Sequence, residues 1–175
     1  MAETPEIPEA KDPYEKAIAI SIAVMAVILS VIGNHSDDAK TEAIIKTNEA
    51  ANKWGYFQAK SIKQHVHEDT LASLAALNVS ALDQAKLNQL TEKMRAENKR
   101  YEDERKEIKS EAEALEKEAT QKLRVNNRGD LGSLLLQIAI VLASIAILGR
   151  WKPFWLIGVL LGLVGAGIGL SGFFV

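Results

Sequence analysis

The sequence has 175 residues, of which 47% are hydrophobic and 25% are charged, and its formal net charge is −2 at pH 7. This balance of charge gives no electrostatic footprint for nucleic acid. The lack of cysteine excludes disulfides, thiolate catalysis and zinc–thiolate sites.

The hydrophobic residues are concentrated in three stretches that are nearly free of charge: residues 17–33, 131–149 and 154–175. A helix needs about 20 apolar residues to cross the hydrocarbon core of a bilayer, with about 17 as the lower limit. We therefore expect three membrane spans and a lipid bilayer as the surroundings of this protein.

The first predicted elements are a tail and a membrane helix. Residues 1–12 are rich in proline and glutamate, which predicts disorder. Asp12 as N-cap, Pro13 at the first helical position and Glu15 at the third have the pattern of a helix start. The first membrane helix is predicted over residues 13–33, as an uncleaved anchor, because the leader is acidic and the apolar run is longer than that of a signal peptide.

A charged region follows the first span. Residues 34–130 contain 17 of the 21 basic and 18 of the 23 acidic residues. The region predicts two polar helices of similar length joined by a turn at residues 77–80, and the second is expected to stop at residues 126–129. Asp130 can then cap the second span, residues 131–149. Helices of similar length suit an antiparallel hairpin whose two ends meet the membrane on the same side.

The C-terminal elements complete the fold class. A short turn is predicted at residues 150–153 and a third span at residues 154–175. The prediction is an all-α integral membrane protein, with three transmembrane helices and a long extramembrane, coiled-coil-like antiparallel helical hairpin between the first and second.

The second polar helix has only half of a coiled-coil seam. Apolar residues recur at intervals of seven, whereas the other core position becomes glutamate at Glu97, Glu104, Glu111 and Glu118. We interpret the hairpin as having a thin core; a surface that recognises a partner helix is the alternative. The residues expected in that core or partner contact are Trp54, Tyr56, Phe57, Gln58, Lys60, Tyr101, Ile108 and Leu115.

Small residues line one face of two spans. The third span has Gly158, Gly162, Gly165, Gly169 and Gly172, and the first span has Ala19, Ala23, Ala26, Ser30 and Gly33, both at intervals of four, three, four and three. Helix association in lipid depends on close van der Waals contact, which small residues permit. We expect these faces to be membrane packing faces. The glycine face can pack against the small residues of the first span or against a second copy, and both alternatives stay open.

The sequence carries little that indicates chemistry. The sequence lacks the motifs of phosphate-binding loops, dinucleotide sites and serine hydrolases. We therefore expect that the protein is not an enzyme and that it has no cofactor, metal or small-molecule substrate. No charged side chain lies within the apolar stretches 17–33, 131–149 and 154–175, which argues against a proton-coupled transporter. A pore formed by several copies has one candidate lining: Ser133, Gln137 and Ser144.

One segment resembles a known family. Residues 46–63 read KTNEAANKWGYFQAKSIK and are similar to a signature of domain-of-unknown-function family 4337. The resemblance extends to residues 129–132 (GDLG), 154–155 (FW) and 171–173 (SGF), and so covers nearly the whole chain. It implies a bacterial inner-membrane protein of the same layout and supplies no activity.

The membrane orientation follows from the short loops. Arg150 and Lys152 lie in a very short connection, and Lys11 and Lys16 precede the first span. The positive-inside rule places these residues in the cytoplasm and the hairpin in the periplasm. Basic residues also flank the hairpin, which is longer than the loops for which the rule is most reliable.

Together these features predict a non-enzymatic, membrane-anchored helical-hairpin protein. It would assemble as a homo-oligomer or within a larger membrane complex, as a scaffold or accessory subunit. A homo-oligomeric channel or pore is the alternative.

Overall fold

The computed structural model describes residues 13–76 and 81–174, apart from the side chains of residues 81–83. These residues form an all-helical chain without strands, as predicted. The helices are α1 (Pro13–Ala75), α2 (Ala81–Gly149) and α3 (Lys152–Ser171), followed by a 3-10 turn, Gly172–Phe174. The predictions for the tail at residues 1–12 and the turn at residues 77–80 lie outside the described residues.

One predicted boundary is wrong: α2 continues through residues 126–129, where a stop was expected. The Asn126 side chain and the Gly129 backbone are buried against Ser36 of α1, so both residues serve helix packing. Asp130 therefore lies inside a helix and caps none. α1 likewise continues past Gly33 without a break.

The connection between α2 and α3 is also shorter than predicted. It consists of Arg150 and Trp151, since α2 ends at Gly149 and α3 begins at Lys152. Arg150 has a φ of 50°, a left-handed conformation that turns the chain sharply.

The chain divides into two compact units. The first, called the three-helix unit, contains α1 up to Glu42, α2 from Gln121 onward, and α3. The second, called the two-helix unit, is Ala43–Thr120 and contains the remaining parts of α1 and α2.

All three helices are long and apolar enough to cross a membrane. In the apolar window of each helix only 17% of the residues of α1, and 28% of those of α2 and α3, are buried inside the structure. Most of the apolar side chains therefore face outward. α1 and α2 are longer than one span because each also contains a charged segment.

The three-helix unit packs around a thin apolar core. Ile18, Met25 and Ile32 of α1 are buried at intervals of seven, and α2 contributes Leu136, Ala139, Ala143 and Ala146. α3 runs parallel to α1 and antiparallel to α2, as the contacts of its glycines establish below.

Candidate functional site

The glycine face of α3 is the closest helix contact in the three-helix unit. The structure buries Gly158, Gly162, Gly165, Gly169 and Gly172. A Cβ atom on Gly165 would lie 2.8 Å from the Cβ of Leu135 and 2.9 Å from the carbonyl oxygen of Gly132, both on α2. The main chains of α2 and α3 are therefore too close for any side chain at this position.

The other side of the glycine face receives bulky side chains from α1. A Cβ on Gly162 would lie 2.6 Å from the sulfur of Met25, and one on Gly169 would lie 2.5 Å from Cδ1 of Ile32. Both pairs advance by seven residues, so α1 and α3 are parallel. The glycines form holes that aliphatic knobs fill.

The small residues of the first span lie elsewhere. Ala19, Ala23, Ala26 and Ser30 are exposed, and Gly33 is half-buried with no atom near the position of a Cβ. Of the two partners considered for the glycine face, the small residues of the first span do not contact it, because the larger Met25 and Ile32 occupy that position. The small-residue face of α1 points out of the three-helix unit.

A buried polar cluster joins α1 to α2 at the edge of the apolar core. The Ser36 hydroxyl lies 2.9 Å from the carbonyl oxygen of Asn126 and 2.8 Å from Oδ1 of Asp130. The Asn126 amide donates to the second oxygen of Asp130 at 3.1 Å. Ser36 is 1% exposed and Asn126 is 6% exposed, so these two buried side chains are satisfied by each other and by the exposed carboxylate of Asp130.

The two-helix unit is joined by ion pairs at intervals of seven residues. We call them the ion-pair ladder: Lys46–Glu118, Lys53–Glu111 and Lys60–Glu104. The nitrogen and oxygen atoms of the first pair are 3.2 Å apart. His67 and Glu97 face each other at the next interval, with a nitrogen–oxygen distance of 3.9 Å that is too long for a hydrogen bond. Because the residue number rises by seven on α1 and falls by seven on α2, the two helices are antiparallel here. Glu104, Glu111 and Glu118, which interrupted the predicted apolar seam, are the acidic half of this ladder.

The ladder alters the pKa values of its members. The hydrogen bond to Glu118 raises the pKa of Lys46, and that to Glu111 raises the pKa of Lys53. The hydrogen bond from Lys60 lowers the pKa of Glu104. Exposed ion pairs of this kind contribute about 0–1 kcal/mol each, so the ladder specifies which residues face each other more than it stabilises the fold.

A row of small residues runs beside the ladder. Ala43 and Ala50 of α1 and Ala112 and Ala119 of α2 are buried, again at intervals of seven. Alanine at these positions lets the two helices approach closely. At the next interval of seven on α1 the alanine is replaced by Phe57, whose ring lies 4.7 Å from the guanidinium carbon of Arg105.

Only part of the predicted aromatic cluster makes contacts within the structure. The rings of Trp54 and Phe57 meet edge to face at 5.5 Å, and the Trp54 indole donates to Glu116 at 2.7 Å. Tyr56 is 64% exposed and Gln58 is also exposed, so neither belongs to the interior.

The residues of α2 that were expected in the hairpin core differ in burial. Tyr101 is buried, with the ammonium of Lys60 4.8 Å from its ring, whereas Ile108 and Leu115 are half-buried. The buried side chains described in the two-helix unit are therefore alanines and Tyr101, and the ion pairs lie beside them, partly exposed.

The candidate pore residues differ in their exposure. Ser133 is half-buried, whereas Gln137 and Ser144 are exposed. The Ser144 hydroxyl donates to the carbonyl of Ile140 in its own helix at 2.8 Å.

No group of three histidine, cysteine or carboxylate side chains able to hold a metal ion occurs among the residues that the structure describes. His65 contacts Glu68 at 3.3 Å on one helix turn, as an exposed pair.

Sequence reasoning missed several of these contact residues. Lys46, Lys53 and His67 were not singled out, although their spacing of seven matches that of the glutamates. Ser36 was also missed, because a serine at a single position gives no pattern, and Asn126 was interpreted as part of a helix stop.

These features define an all-helical protein whose three helices are apolar enough to cross a membrane, and whose distinctive contacts join helix to helix. Residues 14–175 match the family described as Domain of unknown function (DUF4337), and the chain belongs to that family, which confirms the resemblance seen in the sequence. No curated protein and no solved structure matches the chain.

Proposed function

We propose that this protein is a non-enzymatic, membrane-anchored scaffold that assembles with further copies of itself through α1. The observation that carries this proposal is the outward position of Ala19, Ala23, Ala26 and Ser30. The glycine face is already filled by Met25 and Ile32, so α1 presents the small-residue face that is free for another helix.

Membrane insertion is supported by the outward-facing apolar residues. A soluble protein rarely exposes so much contiguous apolar surface, whereas lipid is a suitable surrounding for it. Exposed side chains include Ile20, Val24 and Val27 of α1, and Leu160 and Leu163 of α3. We propose three spans, with the charged two-helix unit outside the bilayer.

The two-helix unit would serve as the contact surface of the scaffold. Its two antiparallel helices offer exposed residues to a larger membrane complex. Tyr56 and Gln58 are exposed and are suitable for such a contact. An accessory subunit of this kind needs no catalytic centre.

The orientation belongs to the same proposal. Lys16, Arg150 and Lys152 lie at one end of the three-helix unit, where Arg150 pairs with Glu15 at 3.5 Å. By the positive-inside rule this end faces the cytoplasm of a bacterial inner membrane, and the two-helix unit faces the periplasm.

The test uses the fact that the chain contains no cysteine. Ala26→Cys and Val31→Cys each introduce a thiol at an exposed position of α1, the first on the small-residue face and the second on another face. Oxidation in native membranes should cross-link Ala26→Cys into dimers and leave Val31→Cys monomeric. Equal cross-linking of both variants, or of neither, would refute assembly through this face.

A second variant tests the same face without a thiol. Ala26→Leu should reduce the mass of the protein in mild detergent, because the larger side chain separates the paired helices, whereas Val31→Leu should leave the mass unchanged. A single, unchanged mass for both variants would argue against the proposal.

A further inference from the structure

The three-helix unit contains an open groove between α1 and α3. Its volume is about 450 Å³, and it is lined by apolar side chains that include Ala17, Val24 and Ile28 of α1, and Val159, Leu163 and Ala166 of α3. This volume is within the range of small-ligand pockets. The groove follows two parallel helices and is therefore elongated, as an alkyl chain requires.

Basic residues lie near the beginnings of the two helices that line the groove. Lys16 is one position before the lining residue Ala17 in sequence, and Lys152 lies seven positions before Val159, on the same face of α3. Both lysines are exposed. The ammonium of Lys152 lies 5.8 Å from the ring of Tyr14, which brings the beginnings of α1 and α3 together.

The nearby Arg150 does not add to this positive charge, because Glu15 neutralises it at 3.5 Å. Aromatic residues mark the same level. Trp155 meets Tyr14 edge to face at 5.6 Å, and its indole donates to Ser21 of the groove at 3.2 Å. Tryptophan and tyrosine are enriched at the headgroup level of membranes.

We propose that this groove binds an anionic phospholipid, with one acyl chain between α1 and α3 and the phosphate beside Lys16 and Lys152. The inference rests on the membrane insertion proposed above. An apolar groove with two exposed lysines near the beginnings of its helices matches a ligand with an alkyl chain and a negative headgroup. The lysines also belong to the end that we place in the cytoplasm, where the leaflet contains anionic lipid.

The ligand site and the assembly face are separate. Ala19 and Ala23 face out of the three-helix unit, whereas the groove uses Ala17, Val24 and Ile28. A second copy on the assembly face therefore leaves the groove open to lipid.

The test is lipid retention by the full-length protein. The protein is purified in mild detergent and offered equal amounts of phosphatidylglycerol and phosphatidylcholine, and the bound lipids are counted by native mass spectrometry. Wild-type protein should retain phosphatidylglycerol in preference. Lys16→Gln and Lys152→Gln should each reduce that preference by about fivefold, the effect expected of one basic residue near an anionic headgroup.

The matched control removes two charges elsewhere. Lys93→Gln with Lys99→Gln alters exposed lysines of the two-helix unit, and should leave the lipid preference unchanged. Ala166→Phe fills the groove and should reduce retention of both lipids; its helix content, measured by circular dichroism, separates this effect from misfolding.

Two results overturn the inference. One is equal retention of the two lipids by wild-type protein, and the other is an unchanged preference after both Lys16 and Lys152 are replaced. Resistance of the wild-type protein to alkaline extraction from membranes is measured in parallel. A protein that is extracted contradicts the proposed membrane insertion, whereas one that stays in the membrane without a lipid preference contradicts only the lipid site.

Discussion

Replacing Gly165 by alanine tests the close packing of α2 against α3. The added Cβ would lie 2.8 Å from the Cβ of Leu135, 2.9 Å from the carbonyl oxygen of Gly132 and 3.1 Å from the amide nitrogen of Leu136. Two of these atoms belong to the main chain and cannot turn aside as a side chain does. The two helices must therefore separate locally, and overpacking of this kind costs about 1–3 kcal/mol.

The control is Gly167→Ala in the same helix. A Cβ on Gly167 has no neighbouring atom within 4 Å, so this variant has the better helix propensity of alanine without a steric conflict. That propensity is worth up to about 1 kcal/mol and applies to both variants, so it cancels in their difference. We expect Gly165→Ala to be less stable than Gly167→Ala by about 1–3 kcal/mol.

The assay is reversible unfolding in mixed micelles with increasing sodium dodecyl sulfate, followed by far-UV circular dichroism. Equal free energies of unfolding for the two variants would refute the close contact between α2 and α3. A Gly167→Ala variant that is the less stable of the two would refute the identity of the packed face.

Three further predictions concern polar contacts. Ser36→Ala removes the hydroxyl donor beside Asp130 and should lower the free energy of unfolding by about 1–3 kcal/mol, measured by the same titration. The pKa of Glu104 is lowered in the folded state by Lys60, so its contribution to stability is present above the unfolded pKa and is lost as the pH falls through the folded value. Melting temperatures should therefore fall on acidification, and Lys60→Gln should reduce that fall; an identical pH dependence in this variant would contradict the assignment. Trp54→Phe keeps the ring contact but loses an exposed hydrogen bond, so the free energy of unfolding should change by less than about 1 kcal/mol. A larger loss would show that the indole has a further role.

The apolar runs and the helical class were readable from the sequence, because length and composition decide them. The sequence did not show which face of α1 packs against the other helices. α1 has two regular rows, one of small residues that includes Ala19 and Ala26, and one of large residues that includes Ile18 and Met25. Spacing alone cannot distinguish them, and the structure pairs the large row with glycine, because a hole on one helix is filled best by a knob on the other.

The ion-pair ladder was partly readable. The glutamates at intervals of seven were visible, yet they looked like gaps in a hydrophobic seam. Their meaning depends on Lys46, Lys53 and Lys60, which recur at the same interval on another helix. A comparison of charge spacing between the two helices would have predicted that the row of lysines faces the row of glutamates. It could not have predicted which lysine pairs with which glutamate.

The Ser36 cluster is a contact between α1 and α2 that does not repeat. Sliding α1 by seven residues along α2 would place Lys46 opposite Glu111 and Lys53 opposite Glu104, so the repeating rows tolerate the shift. Ser36 has no such second option, because the residue then opposite it would be Ala119 in place of Asn126. Contacts that repeat every seven residues do not by themselves fix the register of two helices. The contacts of Ser36 occur once, and a shift of seven residues would lose them.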